Sequence, residues 1–464
     1  MSFIICLASL CFLMFVAYRG FSVIMFAPIA ALGAVLLTNP VDVLPTYSHI
    51  FQDKMVVFAK LYFPAFLLGA IFGKLIEMSG FARSIVGAVI SVVGRERAVL
   101  SIVVVCCLLT YGGVSLFVVV FAVYPFAAEM FRQTDIPKRL IPGTIALGAF
   151  TITMDALPGT PQIQNIIPTT FFNTDAYAAP ILGVIGAVFI MVIGMSYLQW
   201  RVHSAAKAGE GYGTGHINEP DAPSHDLQVN PWLAISPLVV VGIGNLIFTR
   251  GILPDVYGAS YVLELSEMNK PITIAVKSIL GIWAVEAALL LGILLVIVAS
   301  FKTISAKFSE GSKTAIAGAL LATMNTASEY GFGAVISALP GFIVVRDALT
   351  AIPNPLVNEA ITVNILAGIT GSASGGMSIA LAAMSEQFIA AARAANIPLE
   401  VMHRVASMAS GGMDTLPHNG AVITLLAVTG LTHIQSYKDI FAITVTKTCA
   451  VFFVIAVYYL TGLV

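Results

Sequence analysis

The sequence predicts an all-α polytopic membrane protein, on three observations. Of its 464 residues, 58% are apolar and only 10% are charged, against about 25% charged in a typical soluble domain, and mean hydropathy is +0.94. Apolar runs approach the ~20 residues that cross a bilayer again and again along the chain. Those runs lack the alternation of apolar and polar residues that a membrane β-barrel requires. Too little charge remains to coat a soluble enzyme, a nucleic-acid binder or a disordered scaffold. The net charge of −1 creates no global field for an acidic or basic partner, so no nucleic-acid partner is expected.

In chain order, Met1 to Tyr18 is almost wholly apolar and is followed by Arg19. A signal peptide places its positive charge before the apolar run, so this segment reads as the first span. The clear spans are 3–18, 21–38, 61–78, 178–198, 231–248, 273–299, 313–345 and 440–463. Between the fourth and fifth lies a Gly-, Pro- and His-rich polar stretch, 199–230. It reads as a cytoplasmic, flexible tether joining a first half, 1–198, to a second, 231–464. The five cysteines, Cys6, Cys11, Cys106, Cys107 and Cys449, lie in apolar runs without CxxC spacing. They imply neither disulfides nor a metal site.

The halves resemble each other. Asp155, Leu157 and Pro158 repeat as Asp414, Leu416 and Pro417, and Ile136-Pro137 as Ile397-Pro398. A Gly-rich polar interruption precedes each set, around Thr110–Ser115 and Gly371–Ser378. This order predicts two re-entrant hairpins, 99–128 and 358–390, and two broken spans, 140–172 and 404–434. With the N-terminus outside, Lys and Arg accumulate in the inner loops, with Arg404 counted outside, in keeping with the positive-inside rule. The first hairpin then enters from the cytoplasm and the second from outside, which makes the repeats inverted. Corresponding interrupted segments in two halves point to a transporter's binding site.

A broken span exposes unpaired N–H groups that attract anions and unpaired C=O groups that attract cations. The break segments are therefore the first candidates for substrate binding, through Gly159, Thr160, Thr415, His418, Asn419 and Gly420. The hairpin tips come second, with Thr110, Gly112, Gly113 and Ser115 in one, and Ser372, Ser374, Gly375, Gly376 and Ser378 in the other. Small residues there equally suit close helix packing. Ionisable groups within the membrane are expensive and default to function. Asp155, Asp414, Glu329 and His418 are the proton-coupling candidates. Each aspartate stands just before Leu-Pro and could instead cap the following half-helix. Glu329 shares a helix face with Asn325 and Ser328, a pattern that also suits a polar anchor between helices.

No GxxxxGK[ST], HExxH, GxSxG or TVGYG pattern occurs, so an ATPase, a metalloprotease, a serine hydrolase and a potassium-type filter lack support. Ser372 or Ser374 as a nucleophile has no identifiable base. No enzyme, cofactor or metal is expected. A secondary transporter of a small organic anion is, driven by protons or by sodium.

Two segments, NTASEYGFGAVISALPGF at 325–342 and DTLPHNGAVITLLAVTGLTHIQSYKDI at 414–440, resemble the gluconate permease (GntP) family. The similar branch includes gluconate:proton symporters and D-β-hydroxybutyrate permeases, and the resemblance spans essentially the whole chain. It implies proton symport of a small hydroxy-carboxylate across a bacterial cytoplasmic membrane. The wider ion-transporter superfamily implies an elevator-type transporter, usually a homodimer. Carried over by position, the site would comprise Thr110–Ser115, Asp155–Pro161, Ser372–Ser378 and Asp414–Gly420. The TYGGVS tip suits 3-hydroxybutyrate as well as gluconate.

Overall fold

The structure, a computed structural model, describes every residue except 1, 20, 115, 221–228, 265–269, 306, 345–351 and 418. Two of the site candidates, Ser115 and His418, thus lie outside the described residues.

The chain begins with α1 (Ser2–Tyr18) and α2 (Val23–Thr38). On α2 the buried residues are Ala27, Ala30, Ala31, Ala34 and Val35. Small side chains at this spacing let backbones approach closely, and Ser9 Oγ of α1 donates to Ala30 O at 2.7 Å. Next, α3 (Pro40–Met78) is one long apolar helix with a π-helical turn at Tyr47–Phe51. The sequence suggested a start at 61, because Asp53, Lys54 and Lys60 dilute the apolar pattern. Those side chains are exposed, and the helix continues through them.

After α4 (Phe81–Val93) come α5 (Ala98–Tyr111) and α6 (Leu116–Gln133), joined by a tight turn. The first broken segment follows. It runs as α7 (Ile141–Leu147), a π-helical continuation over Gly148–Ala156, an irregular stretch, and α8 (Ile163–Phe172). Leu157, the residue before Pro158, is extended (φ −69°, ψ 134°), as the proline ring requires of its predecessor.

Two long apolar helices are next, α9 (Pro180–Lys207) and α10 (Pro231–Tyr257). A small antiparallel hairpin follows, β1 (Tyr261–Leu263) on β2 (Ile272–Ile274), with Tyr261 opposite Ile274. It displaces the start of the next helix, α11 (Val276–Ser305), from the expected 273. Then comes α12 (Phe308–Ala338), which stops short of the expected 345 because Leu339 precedes Pro340 and is extended (ψ 144°).

The second half closes with a matching set. α13 (Pro355–Thr370) and α14 (Ala373–Ala394) form a helical hairpin. α15 (Leu399–Ser410) and α16 (Gly420–Thr429) flank the second break, and α17 (His433–Thr461) ends the chain. Pro stands in the first turn of α7, α9, α10 and α13, where its missing N–H costs nothing. α17 carries a capping box between Thr432 and Gln435.

The helices pack in two groups. α12 lies along α3 and α2, while α11 packs on α3 and α10. In the other group α5 packs on the π-helical segment and α13 on α15, each hairpin's first helix against its own half's broken segment. The second helices cross over, α6 packing on α16 and α14 on α8. The groups meet where α12 touches α14 and α11 touches α8.

The polar stretch is not a free tether over its described part. Its first residues complete α9 to Lys207. Residues 208–220 are strapped to the group of broken helices. Tyr212 N donates to Asp135 Oδ1 (2.9 Å), Asn218 Nδ2 to Ala427 O (2.9 Å), and Tyr124 Oη to Asn218 O (2.7 Å). Glu219 pairs with Lys138 (2.6 Å) and Arg132, and Glu210 with Arg139 (2.7 Å). Arg139 and Arg201 also converge on the buried Asp439. Hydropathy registered the strap's polarity but not the partners that take up its hydrogen bonds.

Candidate functional site

Each hairpin tip is tied to the break beside it by a side-chain amide. In the first half, Gln162, the residue before α8, donates from Nε2 to Thr110 O (2.8 Å) and Val114 O (3.4 Å). In the second half, Asn419, the residue before α16, donates from Nδ2 to Gly371 O at 2.6 Å. Asn419 also caps α16, its Oδ1 accepting from Ala421 N and Val422 N. Because Gln162 and Asn419 hold the capping positions, neither Asp155 nor Asp414 caps a half-helix, and that alternative falls.

At the first tip, Thr110 is buried and its hydroxyl has no partner among the described residues. Gly112 lies against Leu238 of α10, and Gly113 adopts φ +89° against Pro161. A left-handed turn this tight is why glycine is needed there. In the adjoining break, Gly159 O accepts from Asn245 Nδ2 of α10 (3.0 Å), and Thr160 O accepts from Asn165 Nδ2 (3.0 Å). Tyr111 Oη donates to Pro158 O at 3.1 Å.

The second tip faces α12. Ser372 caps α14, accepting from Gly375 N at 3.0 Å. Ser374 Oγ meets Thr326 Oγ1 at 3.3 Å. Glu329 presses on Gly375: a methyl there would collide with its carboxylate, lying 2.8 Å from Oε1 and nearer to Oε2. Glu329 Oε2 and Ser378 Oγ are buried without partners among the described residues. Gly376 touches the backbone of Ala367 and Leu366 on α13. Thr415 instead turns towards α17, its hydroxyl 2.6 Å from that of Thr444. A methyl on Gly420 would meet nothing within 4 Å among the described residues, so its site is open.

Asp155 and Asp414 both lie near Lys447. Asp155 is 1% and Asp414 5% exposed. Lys447 of α17, itself 2% exposed, pairs with Asp414, Nζ to Oδ1 at 2.8 Å. Gly411 sits at the junction. A methyl there would strike Asp155 Oδ2, and would lie 2.8 Å from Asp155 Cγ and 3.1 Å from Lys447 Cε. Asp155 Oδ2 has no hydrogen-bond partner among the described residues.

Sequence reasoning missed several participants. Arg404, an outer-loop residue by the positive-inside count, is instead fully buried on α15. It donates to Ala178 O (3.1 and 2.8 Å) and to Asp155 O (3.3 Å). It thus occupies the carbonyl end of the π-helical segment, where a cation is favoured. Lys447 stands within the last apolar run, and nothing local in the sequence links it to a partner 33 residues away. Gln162 carried no signal, although its position before a half-helix, matching Asn419, could have revealed it. Glu359 on α13 is fully buried with both carboxylate oxygens unpartnered among the described residues. Its apolar neighbours conceal it in sequence no better than they conceal Glu329. A cavity of about 180 Å³ lies between α3, α8 and α12, lined by Phe58, Tyr62, Thr170, Phe171 and Tyr330 among others.

Long apolar helices combined with buried charged groups at helix breaks define a multi-pass membrane transporter. No family model matches the chain. It is 58% identical over 473 residues, covering 100% of both chains, to the uncharacterized transporter YxjC of Bacillus subtilis (strain 168). The chain belongs to that transporter's family. In fold it is similar to the YdaH transporter of Alcanivorax borkumensis, with a TM-score of 0.54 and 14% identity, over 92% of this chain and 90% of that one. It is also similar to MtrF of Neisseria gonorrhoeae, which is described within a class of antimetabolite efflux pumps. There the TM-score is 0.51 at 14% identity, over 90% of this chain and 85% of the other. At that identity the two likenesses concern the fold alone.

Proposed function

We propose that this transporter is a proton-coupled symporter of a small hydroxy-carboxylate, of the gluconate or 3-hydroxybutyrate type. The observation that carries the reading is the placing of buried ionisable groups from both breaks, Asp155 and Asp414, near one buried lysine, Lys447. Charged groups in mid-membrane are retained where they move ions or substrates. Their position where the halves adjoin suits alternating access around a fixed site. The crossed packing of hairpins and breaks supports an inverted repeat, with 1–198 and 231–464 as its halves and the 199–230 segment between them.

In this reading the substrate carboxylate is held by the N-termini of α8, α14 and α16, with Gly159, Thr160, Ser372, Ser374, Asn419 and Gly420 nearest. Thr110, Ser378 and Glu329 supply buried polar atoms without partners among the described residues. Protons are preferred to sodium because the tip carbonyls of Thr110 and Gly371 already accept from Gln162 and Asn419. Elevator motion would shift the helices of the breaks and hairpins against α3, α11 and α12, within a homodimer in a bacterial cytoplasmic membrane.

The test is uptake by purified protein in proteoliposomes under an inward proton gradient without sodium. Labelled D-gluconate and D-3-hydroxybutyrate are compared. Uphill accumulation of either, abolished by a protonophore, is the expected result. Accumulation that begins only when sodium is added would replace the proton with sodium. Accumulation of neither acid in either condition would remove the hydroxy-carboxylate assignment.

A further inference from the structure

The two central aspartates are not equivalent. Asp414 holds an ion pair with Lys447 at 2.8 Å, whereas Asp155, equally buried, leaves Oδ2 without a partner among the described residues. A buried carboxylate oxygen lacking a hydrogen bond is costly when charged and far less so when the carboxyl is neutral. The same lysine lies within reach of both carboxyls, because Gly411 offers no side chain to separate them.

We infer that the pair divides the work: Asp414 stays ionised against Lys447, and Asp155 is the group that binds the coupling proton. This rests on the proton-symport reading and names the residue that serves it. Lys447 is the positioning residue. It holds Asp414 in the unprotonated state and is the nearest cation available to Asp155 when that carboxyl loses its proton.

Among the described residues, the charged groups facing Asp155 are few. They are Lys447 from α17, Asp414 from the second break and Arg404 from α15. α9 presents Gly183, close to Ala156 O and Arg404 Nε. Arg404 is committed to backbone oxygens and, as an arginine, keeps its charge. Lys447 is the mobile cation of the set, a point charge on a flexible stem.

The proton balance is simple. On one side of the membrane a proton from water forms an O–H bond at Asp155 Oδ2, which neutralises the carboxyl as the anionic substrate binds. On the other side that O–H bond breaks, the proton returns to water, and Lys447 is shared between two carboxylates. Lys447 keeps its three protons throughout.

The test is infrared spectroscopy of the purified full-length protein in lipid, following the carbonyl stretch of protonated carboxyl groups. It needs no knowledge of the substrate. Asp155→Asn should delete one such band, and Asp414→Asn should delete none. Lys447→Met should add a band, because Asp414, deprived of its partner, takes up a proton. Adding Asp414→Asn to Lys447→Met should remove that new band, which guards against misfolding as its source. A band deleted by Asp414→Asn and untouched by Asp155→Asn would overturn the assignment. So would a Lys447→Met spectrum like that of the wild type. If the bands behave as expected while the wild type accumulates neither acid, the substrate reading fails and the proton site stands.

Discussion

Gly376 tests whether the second hairpin depends on the close approach of its two helices. A methyl at this position would lie 2.5 Å from the carbonyl carbon of Leu366 and closer still to the backbone of Ala367. Ordinary contact begins at 3.4 Å, so the shortfall is about 0.9 Å or more. Both obstacles are helix backbone, which cannot swing aside as a side-chain tip can. Gly376→Ala must therefore spread α13 and α14 at the tip. Overpacking of this kind costs about 1–3 kcal/mol, occasionally more. Replacing glycine by alanine in a helix recovers up to about 1 kcal/mol of propensity. The net expectation is a loss of about 1–2 kcal/mol, with the contacts of Ser374 to Thr326 and of Gly375 to Glu329 displaced. The assay is thermal unfolding of the purified variant, with substrate uptake measured in parallel. Gly420→Ala is the control: it sits at the start of α16 with nothing within 4 Å, and it should be neutral or stabilising. A Gly376→Ala protein as stable as the Gly420→Ala protein and as active as the wild type would refute the packing argument.

The strap gives a pH-dependent prediction. The hydrogen bond from Arg139 holds the Glu210 carboxyl below its ordinary value. For Glu219 burial pushes upward, but hydrogen bonds from Lys138 and Arg132 outweigh it and leave the carboxyl lowered as well. Groups with depressed values contribute fully above the ordinary carboxylate range and lose that contribution as pH falls through the folded-state value. Protease sensitivity of 208–220 should therefore rise on acidification below about pH 4.5, the ordinary value for glutamate, and stay flat above it. Glu219→Gln should raise it at neutral pH too, at a cost of about 2 kcal/mol, between an exposed pair and a buried one. Asn419→Asp keeps the oxygen that caps α16 but loses the donor to Gly371 O. It should impair uptake more than stability, whereas Asn419→Ala should lower the melting temperature as well, by the ~1 kcal/mol of a lost cap. Arg404→Lys removes the fork that reaches both Ala178 O and Asp155 O. Leaving a buried carbonyl unpaired costs about 1–3 kcal/mol, read as a fall in thermal stability.

The helical, membrane-spanning character was legible because apolar runs and sparse charge are properties of single segments. The first break was legible for the same reason, since Pro158 forces Leu157 out of the helix and Gly159 adopts φ +79°. The second break was only partly so. Its helix stops at Ser410, before Asp414, because Gly411 and Gly412 end it early. The first half has Ile152 and Thr153 at the corresponding places and stays helical, as a π-helix, to Ala156. Partnerships across the fold were not legible. Lys447 resembles any charge in a long helix until Asp414 is beside it, and Arg404 resembles a loop arginine until its carbonyl partners appear. Glu210 and Glu219 gave the strap a solvent-facing look, and the basic residues that hold them lie some 70 to 90 positions earlier.

The crossed pairing of hairpins and half-helices has a consequence for how the chain is made. α6 completes its packing only when α16 has been synthesised, and α8 only when α14 and α15 have. Such late, distant pairing delays the completion of structure. The first half must reside in the bilayer with one face of α6 and one of α8 uncovered while some two hundred further residues emerge. Chaperones or lipids that shield those faces would then govern yield, and truncation after the first half would leave an insertion-competent but unfinished product rather than half a transporter. Co-expressed halves, in contrast, bring every partner surface with them and can assemble without a continuous chain.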